Sequence, residues 1–307
     1  MPPTAVAIFG PTAVGKTDLA IRLAQELDGQ IISVDSMQVY KYLDIGTAKP
    51  SKEELSAVKH HLIDIIEPNV KYSAADFRSS AEAITEDLCR DGKLPLLVGG
   101  TGLYYNAIFY GLIDIPTVPQ NVRTQLNDMY NEKGLPYLYE MLQEHDPEYA
   151  AKIHANDKQR TTRALEVYLA TGRTFSSYLA TENRKSNIRY IKIGLNTDRS
   201  ILYDRINRRV DIMIDKGLVD EVQNVLNMGY AENCPGMKGI GYKETVDYLN
   251  HRCTEEEMIY QIKQNSRHYA KRQLTWFRSI DDVQWFDVGE SDIFTKVKEY
   301  INQKMEE

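Results

Sequence analysis

Gly10-Pro-Thr-Ala-Val-Gly15-Lys16-Thr17 satisfies every defined position of the spacing GxxxxGK[ST]. Its two glycines let the run Gly10, Pro11, Thr12, Ala13, Val14 and Gly15 curl so that backbone N–H groups face phosphate oxygens. The dipole of a following helix adds to that attraction. Lys16 supplies a point positive charge, and the Thr17 hydroxyl is a ligand for Mg²⁺. The chemistry is therefore binding of a phosphate or diphosphate group, whether of ATP or of another ligand. Nucleotide hydrolysis or phosphoryl transfer would also need a metal-holding acid and commonly arginines. No apolar run ending in a DExx-type acid is present.

Two further stretches carry groups suited to chemistry. Asp35-Ser36-Met37-Gln38-Val39-Tyr40 follows an apolar run directly, which puts Asp35 at a strand end. An acid there can hold a metal through water or take a proton from a nucleophile. It can equally be a turn-opening aspartate. Val98-Gly99-Gly100-Thr101-Gly102-Leu103-Tyr104-Tyr105 is a second glycine corner. Thr101 there reads either as a reactive-site hydroxyl or as a helix N-cap.

These groups need a scaffold that gathers strand ends on one edge. Apolar runs at Thr4–Gly10, Gln30–Ser36 and Leu94–Val98, with a weaker one at His60–Asp64, read as buried strands. Between them lie an amphipathic helix over Lys16–Leu27 and one opened by the capping box Ser73-Ala-Ala-Asp76, running to about Arg90. Alternation of this kind predicts an α/β fold: a parallel sheet flanked by helices, with ligands at the carboxyl edge. After the connector Ile115-Pro-Thr-Val-Pro119 the pattern is helical only, until Tyr190–Asn196 restores a strand. The expected organisation is a P-loop core of residues 1–114 and 186–307 around an all-helical insertion at 115–185. Helices are expected at Arg199–Lys216, at Leu218–Met228, after Thr254-Glu-Glu-Glu257 and at the C-terminus, with a late strand at Val283–Val288.

Composition excludes several classes. An apolar content of 42% and 26% charged residues in 307 residues argue against disorder. The apolar runs fall far short of the roughly 20 residues of a membrane span. Met-Pro-Pro-Thr carries no basic leader, and three cysteines stand far apart, so a reducing, cytoplasmic setting is expected. His60-His61 lacks a third ligand and reads as structural. The net charge of −7 conceals basic stretches. Lys263–Arg278 holds five cations and no acid, interleaved with Tyr269, Trp276 and Phe277, and Arg184–Arg209 holds eight cations against Asp198 and Asp204. Such cations give sequence-independent affinity for phosphates, whereas Trp276 and Phe277 fit a core. Lys238-Gly239-Ile240-Gly241-Tyr242-Lys243 reads as a flexible basic loop.

Taken together, GPTAVGKT, DSMQVY, GTAKP (Gly46–Pro50), HHLID, YSAADF and GGTGLYY resemble the bacterial tRNA dimethylallyltransferases. The resemblance continues through Gln159-Arg160-Thr161-Thr162-Arg163, Gly239-Ile-Gly-Tyr242 and Lys271-Arg-Gln-Leu-Thr-Trp-Phe-Arg278, and so spans residues 10–278. It implies a P-loop NTPase-like fold that holds dimethylallyl diphosphate and passes its five-carbon group to the adenosine 3′-adjacent to a tRNA anticodon. It further implies Asp35 as general base, and Ser36, Met37 and Gln38 against the flipped adenosine. Thr101 would stand where the substrates meet, Arg209 on the diphosphate, and Gln159–Arg163 on the anticodon stem-loop. Lys238–Lys243, Lys271, Arg272 and Arg278 would complete the tRNA contacts, with Mg²⁺ as cofactor and a monomer as the working form. The longer eukaryotic members carry a zinc-finger tail that this sequence lacks. Competing readings are a prenyltransferase for free adenine nucleotides, a small-metabolite kinase and a non-catalytic RNA-binding module.

Overall fold

The structure, a computed structural model, describes residues 2–113, 115–180 and 186–307. It divides into two compact units, Met1–Phe109 with Ser186–Glu307, and Tyr110–Lys185. The first is built on six strands: β1 (Thr4–Phe9), β2 (Gly29–Val34), β3 (His60–His61), β4 (Leu94–Gly99), β5 (Arg189–Asn196) and β6 (Gln284–Asp287). Their order across the sheet is β3-β2-β4-β1-β5-β6, and every pairing is parallel. Ala5 through Phe9 have no exposure at all, because the central strand is covered on both faces. That is why the run is continuously apolar rather than alternating.

Register brings the strand ends level. Phe9 pairs with Gly99 and with Gly194, and Gly99 pairs with Val34. The groups that follow Phe9, Val34 and Gly99 thus emerge side by side at the carboxyl edge. The His60–Asp64 strand shrinks to two residues for a local reason. Leu62 (φ +62°) and Asp64 (φ +56°) leave the extended region at once. His61 Nε2 meets Gln30 Oε1 at 2.7 Å and His60 Nδ1 meets the Val58 carbonyl at 2.8 Å, so both histidines have structural partners.

Helices α1 (Lys16–Glu26), α2 (Lys52–Ala57), α3 (Ala74–Arg90) and α4 (Gly102–Tyr110) accompany the first four strands. The capping box predicted at Ser73 is present: Ser73 Oγ accepts the Asp76 N–H and Asp76 accepts the Ser73 N–H. One core packs Val6, Ile8, Leu19, Leu23, Ile193 and Leu202. Around Phe9, the rings of Tyr105 and Phe277 each lie 5.0 Å away by centroid.

The helical unit contains α5 (Gln120–His145), α6 (Pro147–Ala150), α7 (Lys158–Thr171) and α8 (Phe175–Leu179). Helix α5 breaks at Gly134, φ +78°, two residues before Pro136. Its apolar face packs Val122, Leu126, Leu138 and Leu142 against Ala164 and Leu165 of α7.

The chain then supplies α9 (Arg199–Asp215), α10 (Leu218–Asn227), α11 (Tyr242–Leu249), α12 (Glu255–Phe277) and α13 (Ile293–Glu306). A second core gathers Val39, Tyr40, Leu43, Val222, Tyr242 and Met258. The segment 238–243 departs from the flexible loop expected. Gly236–Lys238 is a 3₁₀ turn, Gly241 (φ +97°) turns the backbone into α11, and Tyr242 is fully buried. The burial of this apolar ring orders the segment despite its two glycines. No helix among the described residues is long and apolar enough to cross a membrane.

Candidate active site at the carboxyl edge of the sheet

The phosphate loop joins β1 to α1, turning through Ala13 (φ +63°) and Gly15 (φ +105°). Lys16 folds back over it, its Nζ donating to the carbonyls of Gly10 (2.9 Å) and Pro11 (2.8 Å). Burial, reinforced by the neighbouring Arg209 guanidinium, pulls the Lys16 ammonium down to about 7, with Asp35 opposing. Helix α9 delivers two arginines to this place. Arg205 donates to the Val14 carbonyl at 3.3 Å, and Arg209, one turn on, is half-buried. Burial pulls Arg209 down as well, and Asp35 again opposes. The two cations and the carboxylate thus feel one another in a shared, poorly hydrated space.

Asp35 leaves β2 with its Oδ1 accepting the N–H groups of Met37 (2.8 Å) and Gln38 (3.3 Å). The turn reading of Asp35 therefore holds together with its placement on the cavity. Thr101 Oγ1 accepts the Ser36 N–H at 3.0 Å, and the Thr101 N–H donates to Val34, tying the glycine corner to the same strand end. A Cβ on Gly99 would stand 2.1 Å from the Val34 carbonyl oxygen, so the corner requires glycine. Gln38 turns inward: its Oε1 accepts the Ser33 hydroxyl (2.8 Å), and its Nε2 faces the carbonyls of Thr47 and Ala48.

A cavity of two lobes opens here. A lobe of about 280 Å³ is lined by Ala13, Gly15, Lys16, Thr17, Asp18 and Gln38. One of about 320 Å³ is lined by Ser36, Met37, Met213, Ile240, Tyr242 and Ile262, with Lys238, Gly239 and Arg272 at its wall. Thr12, Asp35, Thr47, Arg209 and Tyr269 border both. A polar compartment and a largely apolar one therefore meet at the Asp35 carboxylate.

Helix α12 contributes Gln273, which sequence reasoning passed over, and Tyr269, which it noted only as an aromatic among cations. Gln273 accepts the Thr12 N–H (2.8 Å) and donates to the Gly100 carbonyl (2.8 Å), bridging the phosphate loop and the glycine corner with one side chain. Tyr269 borders both lobes, and burial, then the charge of Asp35, pushes its phenol up to about 12. Ile262, Ser266, Tyr269 and Gln273 recur at helical spacing, a stripe whose polar members were the available signal.

Other expected contacts are distributed differently. Gly241, Lys243, Lys271 and Arg278 do not line the cavity, and Lys243, Lys271 and Arg278 are exposed. On α7, Gln159 and Arg160 are exposed, Thr162 and Arg163 half-buried, and Thr161 fully buried with its hydroxyl enclosed. Thr161 therefore offers no surface to an RNA. Arg160 pairs with the N-cap Asp157 at 3.1 Å, and Arg163 with Glu166 at 3.2 Å. Of the basic stretch at 184–209, Arg184 and Lys185 lie outside the described residues. The rest disperse instead of forming one basic face. Arg189 donates to the Lys304 carbonyl, Lys192 to that of Asp281, Arg208 pairs with Asp204, Arg205 donates to the Val14 carbonyl, and Arg209 alone borders the cavity. Phe277 is in the core, and the indole of Trp276 donates to Asn106.

A parallel sheet with a GxxxxGKT loop, a strand-end acid and arginines directed at the loop defines the P-loop α/β class of proteins. The chain belongs to the IPP transferase family, whose pattern it matches over residues 38–280; residues 3–71 also match the isopentenyl transferase pattern. It is 48% identical to a tRNA dimethylallyltransferase of a Thermoanaerobacter species over 96% of this chain and 95% of that one. The corresponding protein of Oceanobacillus iheyensis is 46% identical, covering 98% and 96%. The crystal structure of the full-length tRNA isopentenylpyrophosphate transferase of Bacillus halodurans is 43% identical, with TM-score 0.73 over 99% of this chain and 97% of that one. A eukaryotic dimethylallyltransferase acting on tRNA aligns with TM-score 0.79 at 28% identity, over 98% and 77%.

Proposed function

We propose that this protein is a tRNA dimethylallyltransferase, moving a dimethylallyl group from dimethylallyl diphosphate to the exocyclic amine of the adenosine 3′-adjacent to the anticodon. The observation that carries this reading is the two-lobed cavity, whose polar and apolar parts meet at Asp35 and Arg209. The polar lobe suits a diphosphate and the apolar one a prenyl chain beside a base.

As the allylic C–O bond breaks, positive charge builds on carbon and negative charge on the departing diphosphate. Lys16, Arg209 and the loop N–H groups stabilise that negative charge where it develops. The adenine amine is a weak nucleophile because its lone pair is delocalised into the ring. Asp35 accepts its proton as the new N–C bond forms. Thr101 and Ser36 hold the backbone around this carboxylate, and Met37 and Ile240 form the apolar wall. Access to the amine requires a base taken out of its stack, which a single-stranded loop allows. The oxygen donors of Thr17, Asp18 and Asp35 line the polar lobe. This hard donor set fits Mg²⁺, which keeps much of its shell as water and phosphate. Thr17 would hold the ion, and the ion would add charge neutralisation at the leaving group.

The test offers labelled dimethylallyl diphosphate to anticodon stem-loop RNA and, separately, to AMP. Label in the RNA at the adenosine next to the anticodon, and little in AMP, is the expected result; equal transfer to AMP would replace this reading with a nucleotide prenyltransferase. Asp35→Ala should cut transfer by about a hundredfold or more, with RNA binding within a few-fold of the parent. Retained transfer in that variant removes Asp35 as the base.

A further inference from the structure

Glu221 stands on α10 and lines neither lobe of the cavity. Its carboxylate nevertheless accepts three consecutive backbone N–H groups. Asp44 (2.9 Å) and Ile45 (2.7 Å) donate to Oε2, and Gly46 (3.1 Å) to Oε1. Oε1 also accepts the Tyr242 hydroxyl at 2.6 Å. Successive N–H groups converging on one point form an anion nest, filled here by the protein's own side chain. The Tyr242 ring seals it from behind, so close that a Cβ on Gly46 would lie 2.6 Å from it. Burial, and then Glu221 itself, push the Tyr242 phenol strongly up, which keeps it a donor.

The strap held in this way crosses the cavity. Thr47 borders both lobes. The carbonyls of Thr47 and Ala48 face Gln38 Nε2 at 3.4 and 3.3 Å, and the Gln38 N–H donates to Asp35 Oδ1. A continuous path of hydrogen bonds and one short backbone segment thus leads from Glu221 to the Asp35 carboxylate. A second clamp acts at the strap's far end, where the enclosed Lys49 ammonium binds the Tyr40 carbonyl and the carboxylates of Asp44 and Asp64.

We infer that Glu221 is a positioning residue for prenyl transfer: it fixes the strap 44–48 and, through Gln38, the aim of Asp35 at the acceptor amine. The inference rests on Asp35 serving as the base. Misplacing a catalytic group by about an ångström costs on the order of a hundredfold in rate, so loosening the strap should lower the rate of chemistry while leaving binding nearly intact. The experiment compares the parent with Glu221→Gln, Glu221→Asp and Tyr242→Phe. It measures single-turnover transfer at saturating donor and stem-loop RNA, equilibrium binding of each, and thermal unfolding. Glu221→Gln should transfer about tenfold or more slowly at a temperature where it is fully folded, with both affinities within about twofold. Glu221→Asp, which keeps the charge, should recover part of the rate. Tyr242→Phe, which removes one of four bonds, should lose less and serves if Glu221→Gln does not fold. A lower unfolding temperature with unchanged transfer would overturn the inference, as would weakened RNA binding with unchanged transfer. Failure of the parent to modify the RNA would instead overturn the proposed function, and this inference with it.

Discussion

The ammonium of Lys16 lies among its own loop's carbonyls with Arg209 beside it, and these surroundings disfavour its charge. Its pKa falls from the ordinary 10.5 to about 7. An arriving diphosphate reverses the balance, because two or more negative charges then face the amine. Above about pH 7 the ligand must therefore recruit a proton to Lys16, and binding carries that cost. Below that value Lys16 is already charged and its contribution is flat. The sign follows: affinity for inorganic diphosphate with Mg²⁺ should fall as pH rises from about 7, by up to about tenfold per unit. Calorimetry in two buffers of different ionisation enthalpy should show uptake approaching one proton by about pH 8.5. Lys16→Met should bind weakly and lose that part of the uptake, which separates the lysine from the titration of the diphosphate itself. Equal proton uptake by parent and variant would remove Lys16 as the source.

Elements set how closely these side chains approach, and the corner after β4 shows the constraint. Gly99→Ala would drive a methyl into the Val34 carbonyl at the junction of β2 and β4, where backbone atoms on both sides resist displacement. It should destabilise the protein by about 1–3 kcal/mol or more, read from the urea midpoint. Gly92→Ala is the control; it has open space but a φ of +72°, so its smaller cost reports backbone strain alone. Ser73→Ala should cost about 1 kcal/mol through loss of the α3 cap. What the sequence made legible was local: the apolar runs, the Ser73 and Thr254 capping boxes, the phosphate loop and the strand-end acid each announce themselves within a few residues. Arg209 was reached only through resemblance, since nothing in its helix distinguishes it from Arg205 or Arg208. Gln273 and Glu221 were not reached at all. The Gln273 contact to Thr12 joins positions 261 apart in sequence, and Glu221 grips a strap more than 170 residues away. Such contacts are fixed by packing of α10 against the segment after β2 and of α12 on the sheet core, which no local pattern encodes. The segment 238–243 was misread for the same reason, because its order comes from the buried Tyr242 ring rather than from its glycines.

At the scale of the whole molecule, charge distribution decides how an acidic protein can hold an anionic partner. The net charge is −7, yet Lys238, Lys243, Lys271, Arg272 and Arg278 are exposed in the α/β unit, and among the described residues none of the five is in an ion pair. Lys238 and Arg272 reach the wall of the apolar lobe, so these cations lead from the protein surface to the place where a flipped base would enter. Cations already satisfied inside the fold, such as Lys49 with its two carboxylates, displace no counterions from an RNA, whereas exposed unpaired ones do. The logarithm of stem-loop affinity should therefore fall linearly with the logarithm of salt concentration. Lys271→Ala and Arg278→Ala should each lower that slope by about 0.7–1 while leaving single-turnover transfer at saturation unchanged. Arg90→Ala is the matching control: Arg90 ends α3 just before β4 starts, on the opposite edge of the sheet, and pairs with Asp87. An unchanged slope in both test variants, or an equal loss in the control, would place the RNA on another surface of the α/β unit or on the exposed start of α7. The acidic total does not prevent binding, because screening confines each phosphate to charges within about 10 Å at moderate salt.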